Sequence, residues 1–244
     1  MRDWNGKRYW LVGASEGLGR ALAERMSRAG CHLVLSARAE SRLRELAEVL
    51  PGRAEIAPCD VADRASVEAA AAAAGHVDGV VVLAGVYWPT KAQDWDPDRV
   101  ETMLDVNATG TARVVGAVIG PMVDRNAGHV VLIGSLSGFR GLPGAVGYAA
   151  SKAAVMMLGE SMHADLRGTG VRVQVANPGF VRTRLTEGNR FSMPQIMEPE
   201  AAARHIFEFM GTDRFETSFP GPFAWLFRAG RFLPDWAWYR LFRS

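Results

Sequence analysis

Six times along the chain, a short apolar run gives way to a longer stretch of helical periodicity. The runs fall at residues 8–12, 32–36, 55–57, 80–84, 130–134 and 171–176. Helical stretches lie at about 18–29, 39–50, 62–75, 96–124 and 148–167, with another at 199–210 before a candidate last strand at 215–219. Alternation of this kind argues a parallel sheet with helices on both faces, the doubly wound α/β class. In such sheets ligands bind beyond the carboxyl ends of the strands. Gly13, Arg38, Asp60, Gly85, Ser135 and Pro178 all stand at those ends, so one crevice should gather them.

The first strand runs straight into Gly13-Ala14-Ser15-Glu16-Gly17-Leu18-Gly19 and then into a helix. Glycines let the backbone turn tightly and approach a ligand closely. The N–H groups and positive dipole end of the new helix then face an anion. That is the architecture of a phosphate cradle, here with the spacing Gly-x-x-x-Gly-x-Gly. The second strand ends in Ser36-Ala37-Arg38. An acidic side chain there would accept hydrogen bonds from an adenine ribose 2′-hydroxyl. This chain instead offers a guanidinium able to hold a 2′-phosphate bidentately. The expected ligand is NADP(H).

Tyr148 and Lys152 are four apart near the start of a helical stretch, so they stand on one face. A phenol titrates near ~10 when unperturbed. A neighbouring ammonium favours the phenolate and lowers that value. The pair is a candidate proton donor and acceptor; taken alone, it is equally an ordinary surface tyrosine above a solvated lysine. Asn107 interrupts a long helical stretch where asparagine is a poor residue, which marks a candidate kink.

The remainder of the chain excludes other classes. Its 244 residues suffice for one domain with a sizeable core, placed at residues 1–220. With 48% hydrophobic and 22% charged residues the composition is that of a soluble globular protein, and a net charge of +2 gives no reason to expect nucleic acid. No apolar run reaches membrane-spanning length, and the N-terminus lacks the apolar core of a signal peptide. Cys31 and Cys59 sit at the edges of apolar runs, where buried thiols in a reducing cytosol are a simpler reading than a disulfide. The histidines fall at no metal-ligand spacing, so no metal is expected, and the expected location is cytoplasmic.

Together, Gly13-x-x-x-Gly17-x-Gly19, Asp60-Val61, Ala84-Gly85, Asn107, Ser135, Tyr148-x-x-x-Lys152 and Pro178-Gly179 resemble the short-chain dehydrogenase/reductase family in its single-domain form. The resemblance runs from about Arg8 to Thr183. It implies a Rossmann-like fold and an oxidoreductase moving a hydride between a nicotinamide and a carbonyl or secondary alcohol. It implies a catalytic set of Asn107, Ser135, Tyr148 and Lys152. Tyr148 would exchange a proton with the substrate oxygen, and Ser135 would hydrogen-bond that oxygen. Lys152 would lower the Tyr148 pKa and, with Tyr148, stand at the nicotinamide ribose. Asn107 would hold a water linking Lys152 to solvent. Ser137 competes with Ser135 but stands at the wrong spacing from Tyr148. The implied cofactor contacts begin with Gly13, Ser15, Gly17, Leu18 and Gly19 at the phosphates. They continue with Arg38, with Asp60 and Val61 at the adenine, and with Ala84 and Gly85 after the fourth strand. Pro178, Gly179, Val181 and Thr183 would pass over the nicotinamide. The chain departs from the family at Val12, where threonine is common, and at Val82-Leu83-Ala84-Gly85, where Asn-Asn-Ala-Gly is common. Both departures remove bracing polar groups and no catalytic one. Homodimers or homotetramers built through the helices around Asn107 and Tyr148 are also implied.

Apolar side chains crowd the motif ends: Trp88, Phe139 and Phe180, then Leu185, Phe191, Met193, Ile196 and Met197 in the segment that would cover a substrate. They suit an adaptable pocket for a bulky apolar carbonyl or alcohol, and equally a core. Residues 221–244 form an extension holding three of the seven tryptophans. Read as two helices broken at Pro234, it sets Arg228 with Arg231 and Arg240 with Arg243, each pair at i,i+3. That pattern fits a helix covering an apolar groove on its own or a partner subunit, or one lying peripherally in a bilayer interface. Two other classes stay open: a non-catalytic NADP(H)-binding sensor and a membrane-surface interaction protein.

Overall fold

The computed structural model describes residues 3–187 and 193–242. Its strands are β1 Arg8–Val12, β2 His32–Ser36, β3 Ala54–Ile56, β4 Gly79–Val82, β5 Gly128–Ile133, β6 Val171–Pro178 and β7 Glu216–Phe219. They form one parallel sheet in the order β3-β2-β1-β4-β5-β6-β7. The helices are α1 Gly17–Arg28, α2 Glu40–Val49, α3 Arg64–Ala74, α4 Pro97–Met103, α5 Gly110–Asp124, α6 Val146–Asp165, α7 Arg184–Glu187, α8 Pro199–Met210, α9 Gly221–Gly230 and α10 Asp235–Leu241.

Alternate strand residues point to opposite faces, and here both faces are buried. Tyr9 and Leu11 join Leu22, Met26, Leu46, Ile206 and Phe209 in one core layer. Trp10 and Val12 join Val114, Val118, Met122 and Val155 in the other. A bidentate fork from Arg8 to Glu55, 2.9 Å for each bond, reaches across β2 and ties β1 to β3. β1 has β2 on one side and β4 on the other, so the strand order reverses there. That reversal opens a crevice at the carboxyl ends of the strands.

The stretch 96–124 is not one helix. Asp96 caps α4 by accepting from the Arg99 N–H at 3.1 Å, and Leu104–Thr109 widens into a π turn before α5. The expected kink at Asn107 is this widened turn, a distortion that recurs at functional sites.

The C-terminal segment folds back as the α9–α10 hairpin. Leu136, Ala224, Phe227 and Trp238 form a small core of their own, with Phe139, Leu142, Phe223 and Phe242 around it. The buried face of the hairpin thus packs on Leu136 and Phe139 of the domain. Arg228 pairs with Glu216 at 3.3 Å and lies over the Phe139 ring, so it belongs to no free basic face. Arg243 and Phe191 lie outside the described residues. Among the described residues no helix is long and apolar enough to cross a membrane. Cys31 and Cys59 are buried and unpaired.

Candidate active site

A cleft of about 2630 Å³ opens over the carboxyl ends of the strands. It begins at the glycine turn after β1. Gly13 has φ +96°, and a Cβ there would stand 2.4 Å from the Ala84 nitrogen. A Cβ on Gly19 would stand 2.0 Å from the Gly13 carbonyl oxygen. Only glycine lets this turn close against β4 and α1, and the closed turn presents the start of α1 to the cleft. Ser15, Gly17 and Leu18 complete the rim, with Asp60, Val61, Ala84 and Gly85 beside it.

At the end of β2, Ser36 is fully buried, accepting from Trp10 Nε1 at 2.7 Å and donating to the Ala57 carbonyl. Arg38 is thus the polar side chain that this strand end turns to the cleft. Arg42 lines the cleft beside it, held by Glu16 at 2.5 Å, and Glu16 also pairs with Arg184 at 2.6 Å.

Ser135, Tyr148 and Lys152 meet further along the cleft. Ser135 follows β5 and is 6% exposed; its Oγ accepts from the Ser137 N–H at 3.2 Å. Tyr148 lies in the first turn of α6. Its side chain lines the cleft and is half-buried. That burial pushes its pKa up to about 12, against an opposing hydrogen bond with Ser135. Lys152 stands one turn on, with Nζ 5.8 Å from the Tyr148 ring centroid and donating to the Ile133 carbonyl at 2.8 Å. Burial pushes its own pKa down to about 8. The net direction at Tyr148 is therefore up, where the resemblance implies a lowering by Lys152. Desolvation of the phenol outweighs the Ser135 hydrogen bond, and Lys152 is itself desolvated and aimed at a carbonyl.

Asn107 does not line the cleft; it is fully buried behind it. Its Oδ1 accepts from the Val86 N–H at 2.7 Å, and its Nδ2 donates to the Val86 carbonyl and to Ser151 Oγ, each at 3.0 Å. It fastens the turn after β4 to α6 on the side where Lys152 sits. Pro178 ends β6, and with Gly179, Val181 and Thr183 beyond it lines the cleft.

The apolar end of the cleft is only partly the one expected. Trp88, Phe180 and Leu185 line it. Phe139 instead packs under the hairpin, and Met197 packs against the α1–α8 core, its N–H bonded to the Phe180 carbonyl. Met193 and Ile196 do not line the cleft either. The hairpin supplies Phe223, Phe227, Tyr239, Leu241 and Phe242 in their place. Tyr87, which carries no sequence signal, packs edge-on to Tyr148 at 4.8 Å between centroids. Among the described residues no group of three or more His, Cys, Asp or Glu is placed to hold a metal ion.

The family model for short chain dehydrogenase matches residues 7–193. The chain belongs to the short-chain dehydrogenase family. An oxidoreductase of Myxococcus xanthus, otherwise uncharacterized, is 39% identical over 233 residues, covering 92% of each chain. A solved short-chain dehydrogenase from Streptomyces avermitilis superposes with a TM-score of 0.84 at 27% identity, over 97% of this chain and 96% of that one. The closed form of a serine dehydrogenase complexed with NADP+ superposes with a TM-score of 0.78 at 27% identity, over 87% and 94%. Short-chain dehydrogenases are oxidoreductases with a nicotinamide cofactor, and this dehydrogenase presents the doubly wound sheet and cleft that such chemistry needs.

Proposed function

We propose that this protein is an NADP(H)-dependent carbonyl reductase for bulky apolar ketones or the matching secondary alcohols. The observation that carries the reading is the meeting of Ser135, Tyr148 and Lys152 at one point of a cleft whose far end is a glycine cradle. The cradle at Gly13 and Gly19 fits a pyrophosphate. Arg38, with no hydrogen-bond or ion-pair partner among the described residues, fits a 2′-phosphate. The serine dehydrogenase that shares the fold was solved with NADP+, which supports the same choice.

When bound, the cofactor supplies or accepts a hydride at the substrate carbon. The residues of this chain handle the oxygen. Tyr148, protonated at neutral pH, donates its proton to the carbonyl oxygen as negative charge develops there, and Ser135 hydrogen-bonds the same oxygen. Lys152 would hold the ribose hydroxyls of the bound cofactor, and it adds positive charge near the phenol. Asn107 is a positioning residue, anchoring the Val86 turn and Ser151. Asp60 and Val61 would flank a bound adenine, and Pro178 to Thr183 would lie over a bound nicotinamide. Turnover assays with a panel of small and bulky ketones, run with NADPH and with NADH, test the reading. NADPH-dependent reduction that favours bulky apolar ketones is expected, and failure with the whole panel overturns it.

We further propose a cytoplasmic homo-oligomer, in keeping with the two unpaired thiols, with the exposed Leu104 and Met157, and with the open faces of Gly116 and Gly120. A peripheral membrane contact is a second reading. Trp225, Phe232 and Trp236 are 73%, 90% and 73% exposed on the hairpin, and Arg231 and Arg240 are exposed there too. Exposed aromatics among cations suit an anionic bilayer surface. Flotation with anionic vesicles, lost on deleting 221–244, is the expected result; protein that never floats excludes it.

A further inference from the structure

We propose that Arg140 is a positioning residue that latches the α9–α10 hairpin over the substrate end of the cleft, so that the hairpin's aromatic wall can select bulky apolar substrates. The selectivity part rests on the reductase reading of the cleft. Arg140 lies in the loop between Ser135 and Tyr148, and its side chain is only 14% exposed. Its Nη1 donates to the carbonyls of Gly230 and Leu233, the latter at 2.6 Å, and its Nη2 donates to Asp235 Oδ1. The guanidinium also lies 5.3 Å from the Trp238 ring centroid and 6.0 Å from that of Tyr239.

The end of a helix leaves carbonyls without intrahelical donors and carries the negative end of its dipole. Arg140 meets both needs at the end of α9 and in the turn that follows. Trp238 Nε1 donates to the Gly141 carbonyl at 3.0 Å, so adjacent loop residues grip the hairpin twice. Among the described residues, the hydrogen bonds that join α10 to the domain outside the hairpin are those with Arg140 and Gly141. The face held down this way carries Phe227, Tyr239 and Phe242 into the cleft, with Leu142 on the latching loop. A planar fork with several donors does this; an ammonium is a point charge and cannot reach both carbonyls, the carboxylate and the ring together.

The test compares wild type, Arg140→Ala and Arg140→Lys by amide hydrogen exchange, and by kcat and KM for a small and a bulky apolar ketone with NADPH. In Arg140→Ala, exchange across 221–242 is expected to rise while β1 and β2 stay protected. KM for the bulky ketone rises about tenfold, the scale of one charge-assisted hydrogen bond. Its kcat, both constants for the small ketone, and NADPH affinity stay at wild-type values, the signature of lost uniform binding. Arg140→Lys, which also serves if the alanine variant is insoluble, behaves like Arg140→Ala. Unchanged exchange across 221–242 overturns the latch. Raised exchange with equal losses for both ketones, or a fall in kcat, overturns the selectivity role. If wild type reduces no ketone, the reductase reading fails, and the exchange measurement still decides the latch.

Discussion

Tyr148 and Lys152 both depart from their ordinary titration, and in opposite directions. With its pKa pushed up to about 12, Tyr148 rests as the protonated phenol, the form a ketone needs. Lys152, pushed down to about 8, keeps its charge below that pH and loses it above. The kcat/KM for reduction reports groups of the free enzyme. It is expected to fall as pH rises through about 8, while Tyr148 is still protonated; a profile flat through that region contradicts the assignment. Arg38 carries a separate prediction. Arg38→Ala is expected to weaken NADPH roughly ten- to a hundredfold, about 1.5–3 kcal/mol for a charge-assisted bond, and to leave NADH unchanged. Equal wild-type affinities for the two cofactors, by fluorescence titration, contradict it. These residues are legible in the sequence because their spacing is local: a turn, a strand end, one helix face. Tyr87, Arg42 and Arg140 are not, because each acquires meaning only from a partner that the fold brings close.

Apart from α7 and the break between α4 and α5, the strands and helices follow from the period of the apolar residues and stand within a few residues of the expected bounds, including β7 and both C-terminal helices. The π turn is half legible: asparagine inside a helical stretch marks a break but not its geometry. Apolar loop residues are the least legible, since Phe139 and Met197 satisfy the pattern of a pocket and of a core equally well. Packing decides them. The β1–β3 tie makes a prediction of its own. The fork from Arg8 holds the Glu55 carboxyl down at about 2, below its ordinary 4.5. A carboxyl lowered on folding stabilises the native state above 4.5, and that contribution is lost as pH falls toward 2. The pair is partly exposed, so the effect is modest. Glu55→Gln is expected to lower Tm slightly at neutral pH and to flatten the fall of Tm across the acid range. Melting curves that match wild type at every pH contradict this.

On the scale of the whole molecule, one sheet positions everything. Reversal of strand order beside β1 opens the cleft, the β1 and β2 ends shape the half proposed for the cofactor, and β5, α6 and the hairpin shape the half proposed for the substrate. The exposed apolar surface near α5 and α6 predicts a dimer or tetramer by light scattering, and a monomer at assay concentrations contradicts that. The central claim is that Tyr148 is the proton donor of a reductase. Its most direct test is NADPH-dependent turnover of a bulky ketone by wild type and by Tyr148→Phe, which keeps the ring and removes the proton. The account predicts a fall of about 10²–10⁴-fold in kcat, the usual share of a general acid, with NADPH affinity retained. Turnover by Tyr148→Phe at the wild-type rate would contradict it.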